Sequence, residues 1–458
     1  MQRTSFFLFL LTLVISSLPI HGQLSSIHGF LKDDTLLRNN YYQQSVKKKE
    51  VLLGSLSKEK LKEYKDIYEE QFTEISNLWK SSRPVTAPEA HAYLQSLVNK
   101  IIAANPELKG TDARVVFSRD WWPNAVSMGD GTIAINAGLV MHMNNEAELV
   151  FVVCHELSHY YLEHSQKAIT KYVETINSES FQAELKRLSK TTYGANQQLE
   201  QMAKSVAFNS RRHSRDNEAA ADRQAFLFMK NTGYDCNAIK TCLELLDKVD
   251  DSLFYKPISP EQSFHFPDYP FRTKWIRKET GIFSEITDNS SFTQKEKDSL
   301  KTHPDCSKRI LLLQDSIQQL PAGKKFMVDE KTFNGLRKGF FKEIMEECYR
   351  GNDLSRNLYF SLLLLEEAEN KQLAIYSIVR CLNTLYEKQK NHTLGLAIDK
   401  ENKNYPDDYN QLLRMLDKIR LDELAQVSYY FCRQHMQEMK EYPGFKEEMQ
   451  KAIKNKDL

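Results

Sequence analysis

The chain has 458 residues, 41% of them hydrophobic and 27% charged, with 62 basic side chains against 61 acidic ones. That length accommodates two or three domains with cores of their own, and the balanced charge excludes both a nucleic-acid-wide basic footprint and disorder driven by net charge. Seven cysteines without a CxxC pair exclude a thiolate zinc ribbon and a thioredoxin-like redox motif, so chemistry has to be sought in other motifs.

In chain order, residues 1–22 read as a signal peptide. Arg3 supplies a short positive start, residues 6–15 are apolar apart from Thr12, and the stretch ends in His21-Gly22-Gln23. An uncleaved membrane anchor is the alternative. Export to a periplasmic or extracellular space is expected, with no membrane span in the mature chain, since later apolar runs such as residues 149–154 are too short to cross a bilayer. The scattered cysteines do not describe a disulfide framework, so few or no bridges are expected. Residues 23–83 form an N-terminal helical segment. Residues 84–325 hold the densest apolar patterning and the chemistry-bearing motifs. Residues 326–458, poor in glycine and proline, read as successive helices. There Leu412, Leu416 and Ile419, then Leu424, Val427 and Phe431, recur at the 3–4 spacing of a buried stripe. Helical-hairpin repeats would suit this tail, although no sharp repeat of about 34 residues is visible. The expected fold is mainly α with a small β-sheet, of the α+β class, followed by an all-helical C-terminal region.

The segment Cys154-His155-Glu156-Leu157-Ser158-His159 contains HExxH. Two histidines four apart lie on one helical face about a turn from each other. Their imidazoles can converge on one Zn²⁺, and Glu156 is placed to act as base on the water such an ion activates. A solvated charged face is the bland alternative. The preceding Leu149-Val150-Phe151-Val152-Val153 argues against it, because that run buries the helix, and burying two histidines and a glutamate without a metal would be costly.

Catalytic zinc keeps three protein ligands and one open position. His164, five residues past His159, lies off the ligand face and reads as a supporting or surface residue. The metzincin pattern fails, since Leu162 and Ser165 stand where glycine and histidine are needed. Glu218 is the better third ligand. It begins Glu218-Ala219-Ala220-Ala221-Asp222, in which the two acids share a helical face; one can reach the metal while Asp222 orients a ligand histidine through its free N–H. An ordinary acidic helix N-terminus would look similar.

Together these motifs make residues 84–310 resemble the HtpX-type zinc metallopeptidases, the family that includes the CAAX prenyl proteases. Asn124-Ala125-Val126-Ser127 resembles the family's edge strand, and residues 131–139 its following strand and turn. Glu146-Ala147-Glu148-Leu149 leads into HExxH as it does there, His164 matches a histidine usual in the family, and Glu218 with Asp222 matches its ExxxD motif. His303-Pro304, with Arg309 six residues after the histidine, is similar to a late HP…R motif. Val126 and Ser127 depart from the commoner edge-strand residues, and the membrane spans of the prenyl-protease branch are absent.

The resemblance implies a zincin-like metallopeptidase domain over residues 84–325, one Zn²⁺ per subunit held by His155, His159 and Glu218, and Glu156 as general base. It also implies that His303 and Arg309 assist at the oxyanion, and that Asn124, Ala125, Val126 and Ser127 pair with an extended protein or peptide substrate. His303 is further expected to be able to latch the resting site. The functional expectation is an exported metalloendopeptidase acting on extended or misfolded segments, with envelope quality control as its setting, the helical tail recruiting a protein partner, and no nucleic acid involved. The alternative is a client-binding scaffold without catalysis, against which an intact Glu156 argues.

Overall fold

Val115, Val116 and Phe117 are consecutive apolar residues of high β-propensity. They form the centre of strand β2 (Arg114–Ser118), buried along its whole length. In the computed structural model, which describes residues 31–56, 61–188, 215–249, 257–278, 306–402 and 405–457, β2 lies inside a four-stranded sheet. The order is β1 (Pro84–Val85), β2, β4 (Thr132–Asn136), β3 (Ala125–Ser127). β4 runs parallel to β2, pairing Val115 with Ile133 and Phe117 with Ile135. β3 closes back antiparallel onto β4, with Val126 opposite Ala134. The β3–β4 turn uses Gly129 and Gly131 at φ 87° and 95°, a region in which other residues are strained.

Everything else described is helical or irregular, which bears out the α+β class. The signal-peptide reading of residues 1–22 concerns residues outside those described. The N-terminal helices Thr35–Ser55 and Leu61–Lys80 pack on each other and lay Tyr68, Phe72, Ile75 and Trp79 against Val116 of the sheet. Helix Pro88–Ala104 buries Leu94, Leu97, Val98 and Ile101 beside β2. The HExxH helix, Glu146–Tyr161, is buried from Glu146 through Ser158, as its apolar run demands, and is capped by Asn145, whose side chain accepts from Glu148 N–H at 3.1 Å.

The tail consists of helices Glu330–Arg350, Leu354–Leu365, Lys371–Lys390, Asp407–Lys418, Leu421–His435 and Phe445–Lys456. All six residues of the expected stripe are buried there. Residues from Leu31 onward gather into one compact unit, and two contacts explain why. Arg119, almost fully buried beyond β2, donates to Glu343 of the tail (2.5 Å), to Asp33 (2.9 Å) and to the Ser82 carbonyl (2.7 Å). At the expected 325/326 boundary, Ala147 of the HExxH helix donates its N–H to the Lys325 carbonyl (3.0 Å). All seven cysteines are buried and none forms a disulfide. No described helix is long and apolar enough to cross a membrane.

Candidate active site

The HExxH helix presents His155 and His159 one turn apart, with their Nε2 atoms 3.1 Å from each other. A second helix, spanning residues 215–230, is held by its apolar face (Ala221, Ala225, Phe228 and Met229 are buried) and brings Glu218 to them. The Glu218 carboxylate lies 3.4 Å from His155 Nε2 and 3.3 Å from His159 Nε2. Among the described residues these three form the one group of His, Cys, Asp or Glu able to hold a metal ion. The donor set fits a cation: two imidazole nitrogens face each other at hydrogen-bond distance, and the Glu218 carboxylate turns one oxygen to each of them.

Other side chains pack around this candidate ligand set. Asp222 Oδ1 stands 3.0 Å from His155 Nδ1, off the line of a straight hydrogen bond. Arg309, from helix Cys306–Gln318, donates from Nε (2.6 Å) and Nη2 (2.8 Å) to the two oxygens of Asp222, and its Nη1 lies 3.1 Å from Glu218. Glu163, at φ 57°, turns the chain sharply after the HExxH helix. That turn returns His164 to His159, with the two Nδ1 atoms 3.0 Å apart. His164 is thus half-buried against His159, in the supporting one of its two expected positions.

Electrostatics follow from this packing. Burial opposes a charge on His155, but Asp222 and Glu218 outweigh it and raise the imidazole to about 10. Burial works against the Glu218 anion too; the two histidines and Arg309 prevail and hold it well below the usual carboxylate range. Asp222 is likewise depressed, burial being overcome by Arg309 and His155. Glu156 goes the other way: burial pushes its carboxyl up, with His155 and His159 opposing. Burial next to His159 lowers His164 to about 4.

Glu156 lies on the sheet side of the helix, with the backbone N–H of Ser127 directed at its carboxylate. Val126 is 43% exposed on the edge strand. His303 lies outside the described residues.

The sequence profile of peptidase family M48 matches residues 88–317, half of the chain. The chain belongs to peptidase family M48. M48 is a family of metalloproteases, and the resemblance read from the motifs is borne out. The chain is also 26% identical over 165 residues to a putative beta-barrel assembly-enhancing protease of Vibrio cholerae serotype O1. That match covers 35% of this chain and 34% of the relative, so the chain spans about a third of the length of the curated relative it matches.

Sequence alone gave no hint that the N-terminal helices would reach this M48 site, and no local signal could have given one. Lys48, from the first of them, contacts Tyr160 of the HExxH helix (2.5 Å) and Asp112 (2.8 Å), residues more than sixty positions away. The partners of Arg309 were equally hidden, because a buried ion pair between separate helices leaves no spacing to read. Arg309→Met is expected to leave Asp222 and Glu218 as uncompensated buried carboxylates. The cost should be about 3–5 kcal/mol, read as a lowered denaturant midpoint of the metal-stripped protein. A change below about 1 kcal/mol would show that the pair does not support the site.

Proposed function

We propose that this chain is an exported, zinc-dependent endopeptidase that cleaves extended or misfolded segments of other proteins. The observation that carries this reading is the convergence of His155, His159 and Glu218 beside a buried Glu156 that faces the sheet edge. The metal is taken to be zinc because two histidines and one glutamate, with a position left open for water, are a ligand set of catalytic zinc, and His155, His159 and Glu218 are that set. A divalent ion held by His155, His159 and Glu218 would supply Lewis-acid chemistry, making water nucleophilic near neutral pH and stabilising charge on the carbonyl oxygen.

The residues do the rest. Glu156, raised by burial, accepts the proton of the attacking water and delivers it to the leaving amine. Asp222 and His164 fix the two ligand imidazoles, and Arg309 holds Asp222 and Glu218 in register. Substrate binds by strand addition. Met128 N–H donates to Thr132, and the Asn124 carbonyl accepts from Asn136 (both 2.9 Å), so residues 124, 126 and 128 turn their backbone toward β4. By the alternation of antiparallel ladders, Ala125 and Ser127 turn theirs to the outer edge, which no other described strand occupies. Backbone pairing there selects an extended conformation more than a sequence.

A role in envelope quality control is supported by the export reading and by the name of the Vibrio relative, with the helical tail as the candidate contact for a protein partner. The direct test is cleavage of unfolded casein by the purified chain. Activity should disappear on treatment with a chelator and return on adding Zn²⁺ back. Cleavage that persists in a fully stripped protein would overturn the assignment.

A further inference from the structure

The catalytic centre opens into a cleft of about 1390 Å³ whose lining includes His159, Glu218 and Ser127. One wall is helix His164–Asn177, which contributes Ala168 and Tyr172. Another is the N-terminal helical hairpin, which contributes Val51, Leu52, Tyr68 and Phe72. That hairpin ends at Lys80, before the first residue matched by the M48 profile. This chain therefore builds part of its cleft from outside the family domain.

The hairpin wall is fixed in place at three points. Gln71 donates to the Met128 carbonyl (2.8 Å), one residue beyond the edge strand, and to Ser165 Oγ (2.9 Å). The approach is so close that a Cβ on Gly129 would stand 2.7 Å from Gln71 Nε2 and 2.8 Å from Ser165 Oγ. Lys48 is tied to Asp112 and Tyr160, and Tyr160 donates in turn to Asp112 at 2.9 Å. Below these, Tyr68 and Phe72 are buried in the cluster on Val116.

The chemistry of the lining is selective. Several of its charges are already answered: Lys48 by Asp112, Asp130 by Arg114 at 2.7 Å, and Lys167 by Glu163 at 4.0 Å. Beside these pairs the cleft presents apolar side chains to water, for Val51 is 66% exposed and Tyr172 47% exposed. Large apolar side chains left in water along a catalytic cleft gain when a ligand covers them.

We infer that the N-terminal hairpin and helix His164–Asn177 form a specificity pocket that takes a large apolar side chain of the substrate, beyond the Ser127 end of the edge strand. The inference rests on the endopeptidase reading and adds the substrate class. Folded proteins bury such side chains, so the pocket directs cleavage to segments whose apolar residues have become exposed.

The test uses the full chain and a set of unstructured peptides, identical except that Gly, Asp, Leu or Phe is walked through each position. In the wild type, one position should favour Phe or Leu over Gly by about 10–100-fold in kcat/KM. Val51→Arg and Tyr172→Ala, both at exposed positions that the fold does not need, should flatten that ratio to within about threefold. Binding of the same peptides to Glu156→Gln, with and without Val51→Arg, is measured in parallel by fluorescence anisotropy. Cleavage with an unchanged Phe/Gly ratio in both variants overturns the pocket and leaves the endopeptidase reading standing. No cleavage by the wild type, with Phe-selective binding that Val51→Arg abolishes, overturns the reading and supports the pocket. Neither cleavage nor selective binding overturns both.

Discussion

Glu156→Gln is expected to keep its fold and its metal while peptide hydrolysis falls by about 10²–10⁴-fold. The group able to hold a metal ion is His155, His159 and Glu218, so the substitution removes none of its atoms. An amide oxygen can still accept from the Ser127 N–H that faces this side chain. The carboxylate is buried and its protonation is favoured by that burial, so a neutral isostere costs the folded state little. Only the proton-accepting capacity is lost. Metal content by atomic emission, the thermal midpoint and casein cleavage separate these effects in one preparation. Wild-type turnover in a variant that has kept its metal would remove Glu156 from the mechanism, and loss of metal with the activity would make it a structural residue instead.

The parts of this site that could be read from sequence are those whose chemistry repeats along one helix. His155, Glu156 and His159 share a face because 3.6 residues make a turn, and the same rule joined Glu218 to Asp222. The buried run before His155 identified the helix as an internal one, and the structure buries it from Glu146 onward. Contacts between elements were not legible. Arg309 was associated with the site by resemblance alone, and nothing in the sequence told that its guanidinium grips Asp222. His164 looked off-face on an ideal helix; the left-handed Glu163 breaks that helix and swings it back to His159. Such a turn depends on tertiary packing, which periodicity does not encode.

The same limit applies at the scale of the fold. Strands β3 and β4 were anticipated by resemblance and the tail helices from their 3–4 spacing, whereas β1 and β2 were not anticipated. How these pieces join could not be read, because the joints are single buried charges. Arg119 bridges Asp33, the Ser82 carbonyl and Glu343, three points spread over more than three hundred residues. Viewed in sequence, each is an unremarked surface-type residue. Burial becomes tolerable only because all of them meet.

Glu146 is a joint on which a large stability effect is expected. It is the first residue of the HExxH helix and is fully buried. Its carboxylate accepts from the hydroxyls of Tyr234 and Tyr93 and from the backbone N–H groups of Met327, Val328 and Asp329. The last three open the tail, so one side chain ties the catalytic helix to the start of the C-terminal helices. Glu146→Ala leaves those donors buried without an acceptor and should cost about 3–5 kcal/mol. Glu146→Gln keeps the shape but turns an N–H toward a donor, and about 1–3 kcal/mol is expected. Linkage adds a check on the cause. Burial raises the Glu146 carboxyl, yet the Tyr234 hydroxyl and the three backbone donors outweigh it and bring it below its ordinary 4.5. Its contribution is therefore complete above about pH 4.5 and is lost as pH falls through the lower folded value. Urea midpoints measured from neutral to acid pH should show the gap between wild type and Glu146→Gln closing on the acid side. A gap that stays constant with pH would mean that shape, rather than the carboxylate, joins the tail to the catalytic helix.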